Sequence, residues 1–201
     1  MANNISFNPA LTTSATNSFL LETQGYTAGT FYNDDPAIRM SLTAGQLAST
    51  VSQPVWGGLL ISETVPALNS GVMGNVIALG TADSNYAGFT VFNQAYNMAL
   101  VPGNSVPISV ANMTVNYFRK GSNAQIALAC SAALSTAIEG GFTNQQVSWN
   151  YTTQMLDVYN STTGALPVLV LKANNNSKVP SYNATTGAVT WTVGPAVIVQ
   201  I

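Results

Sequence analysis

Few residues in this chain are equipped for chemistry. Asp34 and Asp35 are the only adjacent acids among 201 residues, and paired carboxylates serve general acid/base catalysis or calcium binding. Neighbouring extended residues point to opposite faces, however, so these two would not converge on one substrate atom. With Pro36 following and Arg39 close enough in sequence to pair with either acid, the group reads as turn chemistry or a protein contact. Glu22, Glu63, Glu139 and Asp157 are dispersed, and glycoside hydrolysis would need two carboxylates about 5 to 10 Å apart. The chain has no histidine, which removes Ser-His and Cys-His nucleophile pairs, histidine-ligated metal sites and imidazole acid/base work. The single Cys130, within Leu128-Ala-Cys-Ser-Ala132, allows no internal disulfide and reads as a small buried hydrophobe. No cofactor is implied.

Trp56-Gly57-Gly58 would leave room for a sugar ring to lie flat on an indole, although core packing accounts for the same residues. Trp149 and Trp191 interrupt strand-like runs and read as core. Asn-x-Ser/Thr triplets begin at Asn4, Asn112, Asn150, Asn160, Asn175 and Asn183, matching a glycosylation acceptor. A chain in which Asn, Ser and Thr number 21, 18 and 22 produces such triplets by chance. The opening Met1-Ala-Asn-Asn-Ile-Ser6 also lacks the basic and apolar regions of a secretion signal.

The elements that would carry these residues sit in an almost uncharged background. Five Lys and Arg against seven Asp and Glu make 6% charged residues and a net charge of −2. The five cations are scattered, the wrong footprint for nucleic acid. Unbroken aliphatic runs such as Val168 to Leu171, after Pro167, are far short of the roughly 20 residues of a spanning helix, so no membrane partner is expected. Hydrophobic residues at 47% argue against disorder.

Alternation with period two predicts strands around Ile38-Arg-Met-Ser-Leu-Thr43, Val55 to Ile61, Thr90 to Phe92, Met113 to Phe118 and Gln125 to Ala129. Turn clusters such as Asp83-Ser-Asn85 and Gly121-Ser-Asn123 separate them. One helix is predicted near 131–139, with Ser131 as cap, Leu134 and Ile138 four apart, and Gly140 as the stop. Tyr159-Asn-Ser-Thr-Thr-Gly-Ala165 returns as Tyr182-Asn-Ala-Thr-Thr-Gly-Ala188, and both copies predict hairpin turns. Asn174-Asn-Asn-Ser177 reads as a polar loop between strands, and the chain closes on a strand from Ala196 to Ile201. The fold class is therefore all-β, an antiparallel β-sandwich or barrel, jelly-roll-like, with one short helix. Residues 1–30 are expected to form an extended N-terminal arm and 31–201 a single β domain.

Gly25-Tyr-Thr-Ala-Gly-Thr-Phe-Tyr-Asn-Asp-Asp-Pro-Ala-Ile-Arg39, then Gln53-Pro-Val-Trp-Gly-Gly-Leu-Leu-Ile61, resembles the N-terminal signature of the tailed-bacteriophage capsid cement (decoration) proteins. Gly88 to Met98, Val115 to Gly121, Gln146 to Tyr151 and the Thr-Gly-Ala turns are similar to later blocks of that family in the same order. Asn150 stands where the family's pattern suggests an acid. The resemblance implies a virion structural protein, made in the bacterial host cytoplasm and carried on the outer surface of the icosahedral capsid. There it would bridge neighbouring major capsid protein subunits as a homodimer or homotrimer, with no catalytic residues. Candidate interface residues are Asp34, Asp35, Arg39 and Trp56, with Phe7 and Phe19 in an arm that orders on a neighbouring subunit. The alternative is a carbohydrate- or receptor-binding β-sandwich module of a virion fibre or spike, with Trp56, Tyr86 or Tyr96 as stacking surfaces.

Overall fold

The computed structural model describes residues 25–32, 35–66, 74–92, 103–139 and 146–201. Phe7, Phe19, Glu22, Asp34 and Tyr96 lie outside the described residues, as does most of the expected arm.

The first described element is a helix where a strand was predicted. Asp35, extended at φ −70° and ψ 117°, accepts the Ala37 N–H on Oδ1 at 2.8 Å, and Pro36 opens the single turn α1 (Pro36–Arg39). An acidic cap and a proline at the first helical position are sufficient local signals to override the alternation of Ile38, Met40 and Leu42. Met40, expected to face inward, is 87% exposed.

Five strands then close a barrel in the order β1 (Thr43–Leu47), β3 (Asn75–Leu79), β2 (Leu60–Thr64), β4 (Gly88–Thr90) and β5 (Thr114–Arg119). The protein is all-β, as predicted, but this barrel has five strands rather than the eight of a jelly roll. One seam is parallel, with Gly45 opposite Asn75 and Leu47 opposite Ile77, while the other four are antiparallel. Leu47, Ile61, Ile77, Val115 and Tyr117 fill the interior. Leu60, Phe89 and Phe118, from β2, β4 and β5, belong to a second core outside it. A strand covered on both faces reads as a continuous apolar run, which is why Leu59-Leu60-Ile61 and Tyr117-Phe118 do not alternate. The expected strand from Val55 reduces to an isolated bridge between Val55 and Ser109 before β2 begins.

Against that outer barrel face lies a three-stranded antiparallel sheet in the order β6 (Gln125–Ala129), β10 (Val189–Gln200), β9 (Leu169–Tyr182). Asn174 to Ser177, predicted as a loop, is inside β9. Ser177 pairs with Gly194 and Asn174 with Ala196, so two β9 residues oppose Pro195 alone. That bulge accommodates a proline that has no N–H to give the ladder, and Asn174 Oδ1 takes the Asn176 N–H at 2.7 Å.

The two sequence echoes build the same local turn. Asn160 and Asn183 each accept an N–H from two residues on, both at 2.9 Å. Gly164 and Gly187 donate back to them at 2.9 and 2.8 Å and take φ of 86° and 72°. Only the second joins paired strands, β9 and β10; the first leads from β8 (Met155–Val158) to β9, and β8 pairs with β7 (Val147–Asn150).

The predicted helix is α2 (Ala132–Glu139), with Ser131 Oγ accepting the Leu134 N–H at 3.1 Å and Leu134, Ser135 and Ile138 buried. Trp149 is fully buried, its ring 5.4 Å from Phe89, whereas Trp191 is only partly buried beside the barrel core. Residues 25–30, the described end of the expected arm, and the adjoining 31–32 are docked on the domain itself. Ala28 donates to Lys178 on β9 at 2.9 Å and Tyr32 to Gln125 on β6 at 2.8 Å. Among the described residues no helix is long and apolar enough to cross a membrane.

Candidate functional site

The charged side chains are placed largely as braces. Arg119 on β5 grips Glu63 on β2 through two hydrogen bonds of 2.9 and 2.5 Å, and Asn75 on β3 donates to the same carboxylate. The Arg119 hydrogen bond holds the Glu63 carboxyl below its usual range, against burial that works the other way. Asp157 accepts the Ser131 hydroxyl at 2.6 Å. Burial raises its pKa, but the bonds from Ser131 and the Val158 N–H outweigh that and the carboxyl titrates below normal. Glu139 accepts from Asn175, whose Oδ1 takes the Ser135 hydroxyl at 2.5 Å. Lys178 Nζ lies 4.9 Å over the Trp191 ring, and burial lowers its pKa. Among the described residues no group of three or more His, Cys, Asp or Glu side chains is arranged to hold a metal ion.

Two of the sequence-derived interface residues come together. Asp35 caps α1 and Arg39 ends it, with the Arg39 guanidinium 5.8 Å over the Phe31 ring. Phe31 in turn stacks on Phe118 at 4.8 Å. Trp56 lies elsewhere, 6% exposed and tilted on Tyr182 at 5.8 Å, so it presents no flat open indole. Tyr86, proposed as another stacking surface, is 3% exposed within the core. Cys130 is buried, and burial pushes its thiol up to about 12, which suits a packing role.

Beside Trp56 is a cleft of about 540 Å³, bounded by the barrel, the β9–β10 hairpin and the β7–β8 turn. Among the described residues none that lines it is charged. Trp56 and Tyr182 supply aromatic wall, Gly57 and Gly58 bare backbone, and Gln53 and Gln154 amides. Gln154 takes the left-handed conformation at φ 56°, fixed by its N–H to Asn150 O and its Nε2 to Tyr151 O, both 2.8 Å. Its Oε1, and Nε2 of Gln53, are buried and find no hydrogen-bond partner among the described residues. Such an unmatched atom costs about 1–3 kcal/mol. Trp56 was legible in the sequence as an aromatic beside glycines, whereas Gln53 entered only as the first residue of the resembling block and Gln154 carried no signal at all. Compared with family models, with curated proteins and with solved structures, the chain matches none.

Proposed function

We propose that this chain is a virion structural protein that decorates the outer surface of a tailed-phage icosahedral capsid. It stabilises the shell by bridging neighbouring major capsid protein subunits as a homo-oligomer. One observation carries the reading: charge is scarce, and several of the charges present are matched within the fold. Glu63 with Arg119, Asp157 with Ser131, Glu139 with Asn175 and Lys178 with Trp191 all bind across elements. Arg119 and Glu139 stay exposed, but with 6% charged residues the outward faces are mostly neutral, with exposed apolar side chains such as Met40, Val65 and Val193. Such a surface adheres through apolar and hydrogen-bonded contacts that salt screens little. Many weak sites on a repeating shell then add through avidity.

The resemblance of Gly25 to Arg39 and Gln53 to Ile61 to the cement proteins supports the same reading. The test is to mix the purified full chain with expanded phage heads lacking it and measure occupancy. Saturable binding that persists at about 1 M NaCl is expected. Heads that take up none, or that lose it all at modest salt, overturn the proposal.

A further inference from the structure

We propose that the cleft beside Trp56 binds a neutral sugar ring, a property that does not rest on the capsid reading. Its volume of about 540 Å³ lies within the range of small-molecule sites. No charged side chain lines it among the described residues, which leaves a phosphate, carboxylate or ammonium ligand without an ionic partner there. What the walls do offer is the partly buried Tyr182 ring, backed by the buried Trp56, beside two amides, the pairing that suits a ring with one apolar face and hydroxyls at its rim.

The amides sharpen the assignment. Gln53 has a buried donor in want of an acceptor, and Gln154 a buried acceptor in want of a donor. A hydroxyl is both at once, so a polyhydroxylated ring can complete either group once the side chain swings that atom into the cleft, which for Gln154 exchanges its bond to Tyr151 O for one to the ring. Gln154, one of the lining residues, holds its backbone at φ 56°, a conformation uncommon for any residue but glycine and one that concentrates at ligand sites.

A peptide entering as an added strand fits less well. Lys178 directs both its N–H and its C=O to residues 26 and 28, so the outward edge of β9 passes two residues on to Pro180, which has no N–H to offer. Strand addition therefore stops at the cleft's border, and the ligand must be held by side chains.

The full chain is screened against an array of neutral and acidic glycans, and the strongest neutral hit is measured by titration calorimetry. Gln53→Ala and Gln154→Gly are titrated alongside it; glycine accepts the left-handed backbone, so the second variant keeps the turn. The expected result is neutral-glycan binding that each folded variant weakens at least tenfold, about 1.4 kcal/mol. An array with no neutral hit, a preference for acidic glycans, or equal affinity in variants that melt like the parent overturns the inference. Head occupancy is read separately, so a chain that coats heads but binds no neutral glycan refutes this inference alone.

Discussion

The barrel and the three-stranded sheet solve the same problem in different ways. In the barrel every strand has two neighbours, so no backbone edge is left open. The sheet has two edges, and the same short segment, residues 25–32, covers part of both by bonding to β9 and β6. The barrel carries the Glu63–Arg119 brace across its strands, while the sheet's β9–β10 hairpin, together with the barrel side and the β7–β8 turn, frames the cleft. Closure gives the barrel rigidity without outside help. The open sheet gains surfaces that can be used for contact, and depends on the barrel to bury its apolar face.

That dependence predicts the largest effect. Phe89 and Phe118 leave the barrel to pack with Ile126, Leu128 and Val197 of the sheet. Phe89→Ala is expected to cost about 3–5 kcal/mol and to lower one shared transition in chemical denaturation; two separate transitions would break the comparison.

Next in size are the two echo turns. Gly187→Ala meets open space and should cost about 1–2 kcal/mol for the left-handed backbone alone. Gly164→Ala should cost more, because its Cβ would lie 2.8 Å from the Asp83 carboxylate. Equal losses in thermal melts would mean that the carboxylate moves aside freely.

A smaller effect belongs to the barrel's brace. A double-mutant cycle on Glu63→Gln and Arg119→Met should give a coupling of about 1 kcal/mol or less, since the Arg119 side chain is 47% exposed. The Glu63 carboxyl is held below its unfolded value. Its stabilisation is therefore present above about pH 4.3 and is lost as pH falls through the lowered folded value. Glu63→Gln should flatten that part of the stability–pH curve.

The smallest effect on melting is expected from Arg39→Ala, which removes an exposed cation from the Phe31 ring. Under the proposed function the same change weakens oligomer or head attachment more than it lowers Tm. The reverse ranking would assign Arg39 to bracing α1.

Helix α2 and the turn at Asn183 were readable because their causes are local. A serine hydroxyl three residues from the N–H it caps, a four-residue apolar spacing, and a glycine in the left-handed region all act within a few positions. Helix α1 was equally local, and the alternation of Ile38, Met40 and Leu42 hid it. Asn174 to Ser177 misled in the opposite direction, since a polar run became strand when Pro195 lay opposite. The candidate site was half visible: Trp56 stood out, while Gln53 and Gln154 acquire meaning only when the β7–β8 turn meets the barrel.

Composition alone settled that this chain lacks imidazole and carries few charges, and the order of capping and turn residues settled where several reversals fall. Both follow from residue chemistry and from torsional preferences that need no distant neighbour. The parallel seam between β1 and β3, the burial of β2, β4 and β5 on two faces, and the cleft walled by Trp56 and Tyr182 were decided only in three dimensions. Each depends on segments far apart in the chain. Their meeting is fixed by which combined packing buries the most apolar surface, and no single stretch of sequence records that choice.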